Sequence, residues 1–212
     1  KDEYLSGDVK HKLSLAKMLA GTDDRFEKNI VALQEVIPKD LTISEIEYDI
    51  GTSWIPLDTY HTFMKEVLDT APFKLSHEII KVEYNQYSDT YHINGKKSDN
   101  SVLINNEYGT SRINAYQILE KSLNMKTVQI FDKEEVWVNG EQITKDVLNV
   151  KETMLARSKQ EHIHHAFKDW LFQDAQRAEM LLRIYNDTFN RIRPRQYDGS
   201  YLSFEGMNEQ FE

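Results

Sequence analysis

Apolar positions in the first 37 residues recur at helical spacing. Val9, Leu13 and Leu19 share roughly one face, with Ser6 placed to cap, so a helix is expected over residues 7–20, stopped by Gly21. Thr22 or Asp23 then caps a second helix carrying Phe26, Ile30, Leu33 and Ile37, which ends before Pro38. The two form an αα-hairpin. Residues 38–56 read as irregular, with Ile43, Ile46 and Ile50 ahead of Gly51 and Trp54. Pro56 suits a helix start, and Tyr60, Phe63, Met64 and Val67 give that third helix its apolar face.

After Pro72 the period shortens. Residues 77–84 alternate as a strand, and residues 90–94 form a second before the Gly95-Lys96-Lys97 turn. Val102–Ile104 reads as a further short strand. Ser111–Asn124 is helical through Ile113, Tyr116, Ile118, Leu119 and Leu123. Val128, Ile130, Val136 and Val138 lead into Asn139-Gly140, a pair that supplies the positive φ angles of a two-residue hairpin turn. From Val150 the period is helical throughout: Leu155, His162, Ile163, Ala166, Phe167, Trp170 and Leu171 mark one long helix. Asp174 caps another carrying Ala178, Leu181, Leu182, Tyr185 and Phe189. The expected class is α+β: mixed helices and a small, mainly antiparallel sheet, followed by a long C-terminal helical arm. The expected division is a body over 1–149, helical over 1–70 and strand-rich over 77–149, with the arm over 150–212.

Composition narrows the function classes. Forty per cent apolar and 29% charged residues describe a globular chain rather than a disordered one. No apolar run approaches a membrane span, and the N-terminal residues lack a basic-then-apolar signal, so a cytoplasmic location without membrane partners is the default. With no cysteine there is neither a disulfide framework nor a thiolate nucleophile. The net charge of −9 is uneven: residues 1–149 hold 17 basic against 25 acidic side chains, and residues 150–200 hold nine against seven. Phosphate affinity rests on Lys and Arg, so residues 1–149 are poorly suited to grip nucleic acid by charge alone.

The catalytic search is mostly negative. There is no GxxxxGK or GxGxxG phosphate loop, no Asn/Asp-Pro-Pro-aromatic tetrapeptide to hold a flipped adenine, and no GxSxG elbow. Asp132-Lys133-Glu134-Glu135 reads as a solvated turn. His162, His164 and His165 are the one histidine cluster. Glu161 and His165 sit one helical turn apart, but no two histidines have the four-residue spacing of a zinc protease, so no metal site is expected. Tyr84, Tyr87, Tyr91, Trp54 and Trp137 offer rings for base stacking, against the commoner role of aromatics in a sheet. Arg191, Arg193 and Arg195 form the strongest candidate. Guanidinium forks match phosphate geometry, and Lys168, Arg177 and Arg183 extend the patch; the competing reading pairs these arginines with acids such as Asp187 and Asp198 or docks them on a neighbouring domain. The final stretch, RIRPRQYDGSYLSFEGMN, carries a Tyr-Asp-Gly turn, and the abrupt start and end suggest a fragment of a longer protein.

The phrases YLSGDVKHKLSLAK, FEKNIVALQEVIPKDL, IGTSWIPLDTYHTFM, EYGTSRINAYQILEKSLN, ETMLARSKQEHIHHAFKDWLFQD and YNDTFNRIRPRQYDGSYLSFEGMN occur in this order. Together they resemble a segment of large bacterial proteins that fuse an adenine-specific DNA methyltransferase to an Snf-type helicase motor. Such proteins belong to mobile genetic elements and phages, and some are tied to restriction-modification and its evasion. The resemblance covers nearly the whole chain, least between Pro72 and Ser101. It implies a non-catalytic connecting region lying after the methyltransferase and just before the helicase, with no catalytic residue of its own. It also implies DNA and the two adjacent domains as partners, S-adenosylmethionine and ATP as cofactors of the parent protein and none of this segment. Residues matching family phrases are Tyr4 to Gly7, Gly51, Trp54-Ile55, Tyr108 to Thr110, Arg112, Arg193 to Arg195, Tyr197 to Gly199 and Gly206 to Asn208. Arg112, Arg191, Arg193 and Arg195 are the expected DNA-backbone contacts. A stand-alone interaction module, offering Phe167, Trp170 and Leu171 on the helical arm, is the alternative.

Overall fold

In the computed structural model, residues 3–138 and 141–195 are described. The chain is α+β, with small antiparallel strand pairs among its helices. It divides into two compact units, one of residues 42–182 and one containing residues 3–41 and 183–195.

The smaller unit holds β1 (Gly7–Asp8), α1 (Val9–Ala20) and α2 (Glu27–Gln34). The cap of α1 is Asp8, not Ser6: the Asp8 carboxylate accepts from the His11 N–H at 3.0 Å, whereas the Ser6 hydroxyl donates to the Glu3 carbonyl. Asp23 caps a 3-10 turn, Asp24–Phe26, that leads into α2. Val9, Leu13, Ala16 and Leu33 form a small separate core, as the hairpin pattern requires. The last part of α7 (Ala175–Phe189) and β6 (Ile192–Arg193) complete this unit, with Asp8 opposite Ile192 and Gly7 opposite Arg193. Asn186 is 3% exposed and fastens the chain at Leu41, accepting from its N–H at 2.8 Å and donating to its carbonyl at 3.0 Å.

The larger unit is built from α3 (Leu57–Glu66), α4 (Pro72–Ser76), the hairpin β2 (Lys81–Asn85)–β3 (Thr90–Asn94), α5 (Ala115–Leu123), a second hairpin of β4 (Phe131–Val138) and β5 (Glu141–Leu148), and α6 (Val150–Leu171). Its core joins Tyr60, Phe63 and Met64 of α3 to Tyr116, Ile118 and Leu119 of α5 and to Ile163, Phe167 and Leu171 of α6. The Phe167 ring stacks on Tyr60 at 5.6 Å and meets Phe63 edge-on at 5.2 Å. Gly51 (φ +90°) lets the backbone pass where a Cβ would lie 2.4 Å from the Leu123 carbonyl oxygen; its N–H donates to the buried Tyr60 hydroxyl.

Several expectations are corrected. Residues 77–80 are not strand: the short α4 ends at Ser76, and the chain turns through Glu78, at φ +55°, before β2 begins at Lys81. Val102–Ile104 is not strand: Leu103–Glu107 forms a single π-helical turn after Val102. Residues 132–135 lie within β4 rather than in a turn. The units part at 41/42 and 182/183 rather than at 149, since α6 supplies much of the larger core. Phe167 and Leu171 are fully buried and Trp170 is 6% exposed, so the stripe assigned to an outward-facing arm is packed inward. The expected turns at Asn139-Gly140 and Tyr197-Asp198-Gly199, and the Gly206-Met207-Asn208 phrase, lie outside the described residues.

Candidate functional site

All four expected DNA-contact arginines have partners within the protein. Arg191 pairs with Asp8 at 3.1 Å and Arg195 with Glu3 at 2.7 Å. Arg193 donates to the Leu5 carbonyl at 3.1 Å. Arg112 meets Asp132 at 2.7 Å and donates to the Phe131 carbonyl at 3.0 Å. For the three C-terminal arginines the cause is the antiparallel pairing of β6 with β1, which sets residues 191–195 against residues 3–8. The residues expected to extend the patch are engaged as well. Arg183 pairs with Asp187 on its own helix, and Arg177 lies 3.7 Å over the Trp170 ring and reaches Glu66. Among the other candidates, Tyr84 packs on Tyr91 and donates to Asp89, whereas Tyr87 and Trp137 are exposed.

The histidines divide. His162 stacks on Tyr108 at 4.8 Å. His164 Nδ1 lies 2.7 Å from Asp49, whose second oxygen takes the Lys168 ammonium at 3.0 Å. Burial by itself would raise the Asp49 carboxyl, but hydrogen bonds from Lys168, the Ile50 N–H and His164 together hold it below the usual carboxylate range. Among the described residues no group of three or more His, Asp or Glu is placed to hold a metal ion.

Asp49, His164 and Lys168 line a cleft of about 560 Å³ together with Ile50, Ser122, Met125, Lys126, Thr127, Arg157, Gln160, Glu161 and His165. The architecture behind it is specific. Residues 126–130 run beside α6, and side chains on one face of that helix satisfy their backbone. Gln160 accepts from the Val128 N–H at 3.1 Å and donates to the Lys126 carbonyl at 2.9 Å and to the Ser122 hydroxyl at 3.0 Å. Arg157 Nε donates to the Val128 carbonyl at 3.2 Å, and Thr153 accepts from the Ile130 N–H at 2.9 Å. The result is a rigid edge that presents Lys126 opposite the next turns of α6. Lys126, Arg157 and Lys168 outnumber Asp49 and Glu161, and Asp49 is already engaged by Lys168 and His164.

Reading the sequence missed Lys126, Arg157 and Gln160. A signal was present: Thr153, Arg157, Gln160, His164 and Lys168 recur at four- and three-residue steps, a polar stripe with the helical period. What hid it is that a polar stripe ordinarily means a solvated face, whereas Thr153 and Gln160 are 4% and 9% exposed.

Fold and cleft together define an α+β domain whose polar site is a surface cleft along one long helix. The chain belongs to the DUF8437 family, described as a domain of unknown function, whose model matches residues 49–191 and so contains every residue of the cleft. No curated protein and no solved structure matches it. No helix among the described residues is long and apolar enough to cross a membrane.

Proposed function

We propose that this chain is a non-catalytic connecting domain of a DNA methyltransferase–helicase protein, serving DNA modification or antirestriction, and that its α6 cleft holds the DNA backbone. The observation that carries the DNA role is the convergence of Lys126, Arg157 and Lys168 on one cleft of the larger unit. The Lys168 ammonium pairs with Asp49, the carboxylate that would otherwise repel a phosphate, and His164 lies within hydrogen-bond distance of it. The sequence resemblance supports the connecting role, and the lack of methyl-transfer and phosphate-loop motifs supports its being non-catalytic. S-adenosylmethionine and ATP belong to the flanking domains of the parent. A cytoplasmic location follows from that role. The proposed contact moves from Arg112, Arg191, Arg193 and Arg195 to the cleft, because three cations, Lys126, Arg157 and Lys168, line that one cavity.

The test is binding of the chain to a short duplex across a salt series, with Lys126→Ala and Lys168→Ala variants alongside. Each lost phosphate contact lowers the slope of log K against log salt by about 0.9. An unchanged slope in both variants removes the phosphate role from the cleft. No binding of the wild type at low salt removes DNA contact altogether and leaves a scaffold.

A further inference from the structure

The β4–β5 hairpin lies apart from the cleft chemistry. Its strands pair from Phe131↔Leu148 to Val138↔Glu141, and their main packing partner is each other. At the base it is anchored firmly: Arg112 and the Asn149 amide both hold Asp132, at 2.7 and 2.6 Å, and the Asn149 N–H donates to the Ile130 carbonyl at 2.9 Å. Beyond the base both faces are open. Val136 and Val147 are half-buried, while Trp137 is 72% exposed and Phe131, Ile143 and Leu148 are each more than 40% exposed. A two-stranded ribbon of this kind is marginally stable by itself in water and gains most by docking.

We infer that the β4–β5 hairpin is a docking arm for a basic protein surface, with Trp137 as its anchor. Side chains alternate along a strand, so Phe131 and Trp137 share one face with Leu148, which pairs with Phe131. Strand rise separates Phe131 from Trp137 by about 20 Å. That face therefore offers two apolar anchors with charged residues between them, and a tryptophan is the side chain that most often anchors an interface. Charge selects the occupant. Residues 131–148 carry five acidic residues against two lysines, and the one base-proximal acid, Asp132, is already paired with Arg112. Cross-strand opposition of Lys133 to Asp146 and of Glu134 to Lys145 sets register, and Glu135, which accepts from the neutral Gln142 amide, keeps its charge beside Trp137 on the anchor face. A ribbon with this excess of carboxylates repels phosphate, which rules against a nucleic-acid groove and favours a partner rich in Lys and Arg with a depression that fits an indole.

The test uses the full chain, immobilised and panned with a random peptide library displayed on phage. Peptides that combine Lys or Arg with apolar residues are expected to be enriched. Their synthetic forms should bind wild type at least about tenfold more tightly than Trp137→Ser, a variant at an exposed site that keeps the thermal melt. Glu134→Lys with Glu135→Lys should weaken the same peptides. Absence of enrichment, binding indifferent to Trp137→Ser, or binding strengthened by the charge reversals overturns the inference. So does self-association of the chain, read by sedimentation, that Trp137→Ser abolishes, because the occupant would then be a second copy. The DNA salt slope separates this inference from the proposed cleft function: Trp137→Ser leaves it unchanged here, and a change would overturn the docking role.

Discussion

The Asn124 side-chain amide forms two hydrogen bonds with the backbone of Tyr91, accepting from its N–H at 2.9 Å and donating to its carbonyl at 2.8 Å. It thereby stands in for the next strand of a sheet that has only two. One helical turn earlier, the Glu120 carboxylate accepts from the Ile93 N–H at 2.7 Å and from Lys96. The outer edge of β3 is closed by side chains of α5 and its C-cap instead of by backbone. Asn124→Ala should destabilise the larger unit by about 1–3 kcal/mol, since it strands two backbone groups. Asn124→Asp, which keeps the acceptor and loses the donor, should fall between. Denaturant titration of the three proteins checks the order, and an Ala variant as stable as wild type would refute the edge-closing role.

Gln160 does for residues 126–130 what Asn124 does for β3. Gln160→Leu preserves bulk but leaves the Val128 N–H and the Lys126 carbonyl unpaired, at a cost of about 1–3 kcal/mol for each group that water cannot reach. Amide exchange gives a second readout: the Val128 N–H should lose protection before the core of α6 does.

Glu120 sets an acid limb on stability. Burial would raise its carboxyl, but the Ile93 N–H, Lys96 and His92 outweigh that and hold it below its ordinary value of 4.5. Between the two values the unfolded chain binds the extra proton, so stability rises with pH there. The contribution is complete above 4.5 and is lost as pH falls through the depressed folded value. Glu120→Gln should flatten the fall in stability below that point; identical pH profiles for the two proteins would show that the carboxylate plays no such part.

Trp170 is packed against Phe63 at 5.3 Å, donates to Glu66 at 2.7 Å and lies beneath the Arg177 guanidinium. Trp170→Ala should cost about 3–5 kcal/mol. Trp170→Phe, which keeps most of the ring and drops the Glu66 hydrogen bond, should recover most of that loss in thermal unfolding.

Periodicity found the elements wherever one face alone decides the structure. Val9, Leu13 and Leu33 pointed to the first helix pair, and the run from Leu155 to Leu171 pointed to α6. It failed at Val102–Ile104, where Ser101 and its neighbours turn a short apolar run into a π-helical turn, since three apolar residues carry no period. It also failed for the cleft. The partners of Arg193 and Arg195 were sought at Asp187 and Asp198 or in a neighbouring domain, because nothing local reveals that β1 lies beside β6, 186 residues away in the Gly7–Arg193 register pair.

Local sequence therefore determined which residues become helix or strand, where most helices start, and that the chain carries no thiolate and no phosphate-loop motif. Tertiary structure alone decided which polar groups are spent and which remain available. It committed the arginines after Asn190 to carbonyls and carboxylates near the N-terminus, turned Phe167 and Trp170 inward, and left Lys126 at the rim of a cleft and Trp137 on an open hairpin. The reason is that secondary structure follows from neighbours a few residues apart, whereas the pairing of a charge or the burial of a ring depends on distant segments that only the folded chain brings within hydrogen-bond reach.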